Sequence, residues 1–227
     1  MKVFSQNSKM KKTSNAQGID LYNFGIPAFQ SADGTKTCPN AGLCAVGCYA
    51  RGGTYMFSNV KSVYEQRLEL TKSPEFVERI GIEIDLLLQK ANKHKRQLVL
   101  RIHDSGDFYS PSYQLAWYHI AKAYPQVLFY AYTKQVVQST VLSGKKPSNF
   151  TLIYSYGGKQ DRLIQSTDRH SAVFESVEQL EAAGYDDTTN DDSIAWTSKT
   201  GKIGLVYHGA KSYKNTLWSK VEERTLE

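Results

Sequence analysis

The chain has 227 residues, enough for one domain with a substantial core. Apolar residues make up 41% and charged residues 22%, an ordinary globular balance that excludes a disordered chain, and no run of about 18 apolar residues exists to span a membrane as a helix. The net charge of +6 favours anionic partners, phosphorylated cofactors or nucleic acid, but no strongly clustered basic helix singles out nucleic acid.

The opening MKVFSQNSKMKK is basic and lacks an apolar core, so it predicts no secretory signal and a cytoplasmic protein. Residues 1–35 read as irregular structure with one short strand in the apolar piece from Leu21 to Phe29. Lys9, Lys11 and Lys12, like Lys90, Lys93, Lys95 and Arg96 further on, read as solvated faces.

The next segment holds all three cysteines, Cys38, Cys44 and Cys48, in a C-x5-C-x3-C pattern. Pro39, Gly42 and Gly47 make it a loop. An odd count in a cytoplasmic protein does not suit a disulfide framework. Three thiolates from one compact loop suit three corners of a [4Fe–4S] cluster, with the fourth iron open to a substrate, a cofactor or another ligand. Joined by one of His94, His103, His119, His170 or His208, they would instead make a closed zinc site. Three buried thiols without metal are the plain alternative.

Val60, Val63, Tyr64 and Leu68 keep helical spacing and predict a helix over 57–70. Ser73-Pro74-Glu75 starts another, which runs to residue 93. Residues 97–103 read as a strand, followed by Asp104-Ser105-Gly106-Asp107. Ser110-Pro111 opens a helix; 127–132 is the next strand, followed by Thr133-Lys134 and a short helix to residue 142. Residues 151–156 form a third strand ending at Gly157-Gly158, and 172–174 a fourth. A helix over 175–183 stops at Gly184. Residues 186–193, with Asp186, Asp187, Asp191 and Asp192, read as an exposed acidic loop, and 194–197 and 203–207 as a late strand pair. Alternating strands and helices predict a parallel sheet. The expected fold is a single α/β domain over 1–227, a complete or partial (β/α) barrel with an N-terminal cysteine loop. An open doubly wound sheet is the alternative.

In such folds ligands bind at the carboxyl ends of the strands. The candidates there are Asp107 and Lys134 for catalysis, and Asp104, Ser105, Gly106, Thr133, Ser155 and Gly157 for holding a cofactor. Together they could clamp the amino, carboxylate and ribose groups of a nucleoside-bearing amino acid. Each also has a plain reading. Asp104 or Asp107 could cap the helix near Ser110. Gly106 could supply a positive φ, and Lys134 could be solvated. His103 reads first as a hydrogen-bonded core residue. Arg101, inside a strand, needs a partner or an interior-facing place. Tyr130, Tyr132, Tyr154 and Tyr156 read mainly as core.

Three blocks in order carry a family resemblance: C-P-x-A-x-x-C-x-x-x-C-Y-A at 38–50, R-x-H-D-S-G-D-F at 101–108 with Tyr113 and Trp117 after it, and F-Y-A-Y-T-K at 129–134. Over residues 15–215 the chain resembles the phage "gene product 88" family. That implies a phage-encoded protein in the host cytoplasm, without assigning an activity. The chain is more distantly similar to radical S-adenosylmethionine enzymes, with a three-cysteine loop early in a (β/α) barrel and an aromatic after the third cysteine. That likeness implies a [4Fe–4S] cluster whose open iron binds the amino and carboxylate groups of S-adenosylmethionine, with Ser105-Gly106-Asp107 placed like the motif that holds the cofactor's amino group. The chain departs from the usual C-x3-C-x2-C spacing, and its first strand, ahead of the loop, is weakly marked. The resulting expectation is a redox enzyme with a small-molecule cofactor or substrate at the cluster. The competing expectation is a non-catalytic phage accessory protein that binds host protein or nucleic acid, with a structural cluster or zinc ion.

Overall fold

The computed structural model describes residues 3–207. Seven strands form one parallel sheet: β1 (Ile19–Phe24), β2 (Gln97–Ile102), β3 (Leu128–Thr133), β4 (Phe150–Ser155), β5 (His170–Phe174), β6 (Asp186–Asp187) and β7 (Lys202–Val206). Their order is β1-β2-β3-β4-β5-β7-β6, and the sheet curls into a half-barrel. The first five strands follow one another in chain order. A doubly wound sheet would reverse midway, so the open-sheet alternative does not hold.

Side-chain alternation divides the sheet into two faces. On the convex face Leu98, Leu100, Ile102, Phe129, Ala131 and Phe150 pack against helices α2 (Ser58–Lys72), α3 (Phe76–Lys93) and α4 (Pro111–Ala123). Fully buried Trp117 of α4 meets Phe24 and Phe76 edge-on, at centroid distances of 5.1 and 5.4 Å. On the concave face Leu21, Val99, Tyr130, Ile153 and Ile203 form a smaller cluster. The predicted Ser110 cap stands where expected, its hydroxyl accepting from the Tyr113 backbone N–H, whereas α3 begins at Phe76, two residues past Pro74, with Glu75 and not Ser73 at its N-cap.

Three expectations need correction. The N-terminal segment is not irregular, because a helix, α1 (Ser8–Gln17), precedes β1. It shows little apolar periodicity, so only its caps, Asn7 and Gly18, marked it. Residues Ile194–Thr197 form a short helix, not a strand. The acidic stretch is not simply an exposed loop, since Asp186 and Asp187 make β6 and Asp192 is only 1% exposed.

The first and third corrections are linked. Helix α1 bridges the open side of the half-barrel, from edge strand β1 to the segment after β6. Met10 joins the concave cluster. Lys9 Nζ lies 2.8 Å from Asp192 Oδ1, and the Thr13 hydroxyl accepts from the Asp192 backbone N–H at 3.1 Å. Gln17 donates to Asp191 at 2.9 Å. Lys9 and Arg96 are therefore not solvated cations; the Arg96 guanidinium lies 3.2 Å from Asp20 and donates to the Ser14 and Ile19 carbonyls.

Removing one partner of a buried ion pair leaves an uncompensated charge. Asp192→Ala is expected to cost about 3 kcal/mol in denaturant unfolding. Glu69→Ala, which breaks the exposed pair with Lys72, should change stability by less than about 0.5 kcal/mol.

Candidate functional site

A cavity of about 1110 Å³ opens at the carboxyl ends of the strands and reaches down the concave face. It is lined by all three cysteines, and also by Asp104, Ser105, Gly106, Asp107, Thr133, Lys134 and Ser155. Gly157 is not part of the lining. Its carbonyl accepts from the backbone N–H groups of Gly42 at 3.2 Å and Cys44 at 3.1 Å, so it anchors the cysteine segment instead.

That segment follows β1 and lies across the strand ends. Asp107 N–H donates to the Thr37 carbonyl at 3.0 Å, and Lys159 N–H to the Asn40 carbonyl at 2.9 Å. A Cβ on Gly42 would stand 2.9 Å from the Gly158 carbonyl carbon, so only glycine allows this approach. Gly106 has φ +82°, and a Cβ there would meet Ile26 at 2.3 Å.

Cys38, Cys44 and Cys48 are free, partly buried thiols. Burial pushes the Cys38 thiol up to about 12; Asp107 and the other two cysteines add to the rise, and the Phe29 N–H, 3.3 Å from its sulfur, opposes it. Burial also raises the Cys48 thiol. Such thiols are inert nucleophiles until a cation takes the proton's place. Among the described residues, no group of three or more His, Cys, Asp or Glu side chains is placed to hold a metal ion. His103 Nε2 bonds the Tyr113 hydroxyl at 2.8 Å, and His170 is engaged by the Asp168 carbonyl and the Tyr185 hydroxyl. His208 lies outside the described residues.

Asp107 does not cap α4. It is 4% exposed and accepts from Thr133 Oγ1 at 2.6 Å, Lys134 N–H at 2.9 Å and Phe108 N–H at 2.7 Å. Burial raises its carboxyl, and these three bonds oppose the rise. Lys134 is not solvated: its ammonium donates to the Ser155 carbonyl, the Ser155 hydroxyl and the Tyr156 carbonyl at 2.8–3.0 Å. Asp104 Oδ2 accepts from the hydroxyls of Tyr55 at 3.1 Å and Tyr64 at 2.8 Å, and the Tyr49 hydroxyl donates to its carbonyl. Ser105 Oγ is buried and has no hydrogen-bond partner among the described residues.

The sequence reading missed the inner part of the cavity. Ser5, Asn7, Lys9, Asn23 and Asp192 line it; Arg101, expected to have a partner or face the interior, faces it from β2. The signal lay in the caps of α1, which turn this segment into a wall.

The Gene product 88 family model matches residues 1–216. The chain belongs to this family. It is 29% identical over 148 residues to the "Gene 88 protein" of Mycobacterium phage D29, and 28% identical over 148 residues to that of Mycobacterium phage L5. Each match covers 63% of this chain and 60% of the relative, so the aligned part spans less than two thirds of these phage proteins. Neither name states an activity. These matches give the likeness to radical S-adenosylmethionine enzymes no support. No solved structure matches the chain. Among the described residues no helix is long and apolar enough to cross a membrane.

His103 generates a pH prediction. Burial, with Arg101 nearby, lowers its folded pKa to about 3 from the ordinary 6.5. Between those values the unfolded chain binds the extra proton, so this residue's contribution to stability is full above 6.5 and falls as pH drops toward 3. The loss is at most about 1.4 kcal/mol per pH unit. His103→Asn suits the left-handed backbone, φ +68°, and should flatten that slope in urea unfolding measured from neutral pH down to about 4.

Proposed function

We propose that the cavity holds a [4Fe–4S] cluster on Cys38, Cys44 and Cys48 with S-adenosylmethionine beside it, and that the protein is a redox enzyme. One observation carries the reading: three thiols share a single large cavity with the polar strand ends, on a segment that directly follows the first strand of a parallel half-barrel. The weakly marked first strand is present as β1. A Cys3His zinc site needs a histidine beside the thiols, and His103 and His170 are engaged elsewhere, by Tyr113 and by Asp168 and Tyr185. A cluster makes a different demand, since each thiolate binds its own iron and the sulfurs stand further apart than around one ion.

When bound, such a cluster supplies one electron and an open iron for the cofactor's amino and carboxylate groups. The chain's own groups do the positioning. Ser105 Oγ offers an unused donor and acceptor at the cavity wall. Asp107 ties the end of β2 to that of β3, and Lys134 ties the end of β3 to that of β4, so the two side chains brace the rim. Asp104, just past the end of β2, accepts from the Tyr55 and Tyr64 hydroxyls and lines the same cavity.

The test is cleavage of S-adenosylmethionine by anaerobic, chemically reduced protein. Wild type should cleave it, each Cys→Ala variant at 38, 44 and 48 should not, and Asp107→Ala should lose about 10²-fold through misplacement of the rim. Absence of cleavage with an intact cluster and a strong reductant would contradict the enzyme reading and leave an accessory, binding role.

A further inference from the structure

Below the cysteine mouth, the concave face carries a cation whose hydrogen-bonding capacity is unused. Arg101 projects inward from β2 into the cavity, and its side chain is 15% exposed. Its guanidinium lies over the Tyr132 ring at 5.2 Å, and its nearest carboxylate oxygen, Asp192 Oδ1, stands 3.8 Å away. That distance is beyond a hydrogen bond. The same oxygen is already taken by Lys9 at 2.8 Å. Among the described residues the Arg101 guanidinium donates no hydrogen bond, and its Nε is buried and unpartnered. Lys134, higher in the cavity, fills all three of its donors. The register partner of Arg101 on β1 is Asn23, 1% exposed, which lines the same cavity and has Nδ2 unpartnered.

A guanidinium removed from water is costly unless a matched acceptor fills its fork. The group that fits is a planar or tetrahedral oxyanion, which takes two parallel N–H bonds. Contact with the Tyr132 ring restricts the guanidinium, which reduces the ordering cost of binding.

We propose that Arg101, with Asn23 beside it, forms a binding site for an oxyanion of a small-molecule ligand, a carboxylate or a phosphate, inside the half-barrel. The site lies on the concave face rather than among the cysteines, and it does not depend on the thiols holding iron.

The experiment titrates the full chain with inorganic phosphate and, separately, with acetate, at constant ionic strength, and follows the assigned Arg101 Nε–Hε resonance together with calorimetric binding. Saturable binding of either probe that shifts this resonance supports the site; phosphate alone identifies a phosphate ester, acetate alone a carboxylic acid. Arg101→Gln should weaken binding by about tenfold or more, and Arg101→Lys, which keeps the charge but not the fork, should fall between. No saturable binding, an unmoved Arg101 resonance, or unchanged affinity in Arg101→Gln would overturn the proposal. The wild-type titration decides even if a variant does not fold. Binding retained in Cys44→Ala separates this site from the cluster. Failure to bind in a chain that carries a full cluster overturns the oxyanion site alone.

Discussion

Two stretches of backbone must come into direct contact for this structure to exist. The cysteine segment at Gly42 lies against Gly157-Gly158 just past the end of β4, and the Gly42 and Cys44 N–H groups converge on the Gly157 carbonyl. No side chain fits between them. A carbonyl buried at a strand end needs donors, and the cysteine segment provides them. This contact carries the thiols over the mouth of the half-barrel instead of leaving them on a free loop.

The rim is built from charge and hydrogen bonding rather than from apolar packing. Asp107 gathers three donors from the β2 and β3 ends, and Lys134 spends its three donors on the β4 end. Satisfied networks of this kind rigidify a site. Unsatisfied atoms lie elsewhere in the same cavity, on Asn23, Arg101, His103, Asp104, Ser105 and Asp192. The contrast separates groups that shape the cavity from groups with capacity left for a ligand. On the open side, Lys9 and Asp192 substitute for the strand pairing that a closed barrel would have.

Much of this was legible in the residues. Strands such as QLVLRI and LFYAYT are apolar runs bounded by polar ends, and a sheet buried on both faces requires that pattern. The convergence of His103 to Asp107, Thr133-Lys134 and Ser155 follows from parallel topology alone. Helix α1 was legible only in its caps, because its polar sequence buries only Met10, Thr13 and Ser14 and several of its contacts are with residues 190–192, far away in sequence. Asp192 looked solvated for the same reason. Its partners, Lys9 and Thr13, are distant in the chain, and charge alone does not reveal burial. The IAWT segment was misread because four apolar-leaning residues do not distinguish a strand from one helical turn.

The central claim is that the three thiols hold an iron–sulfur cluster. It is tested most directly by iron and acid-labile sulfide analysis of protein purified without oxygen, with an EPR spectrum after reduction. The account predicts about four irons and four sulfides per chain and a reduced-cluster signal. A colourless protein with a single zinc, or with no metal, would contradict it.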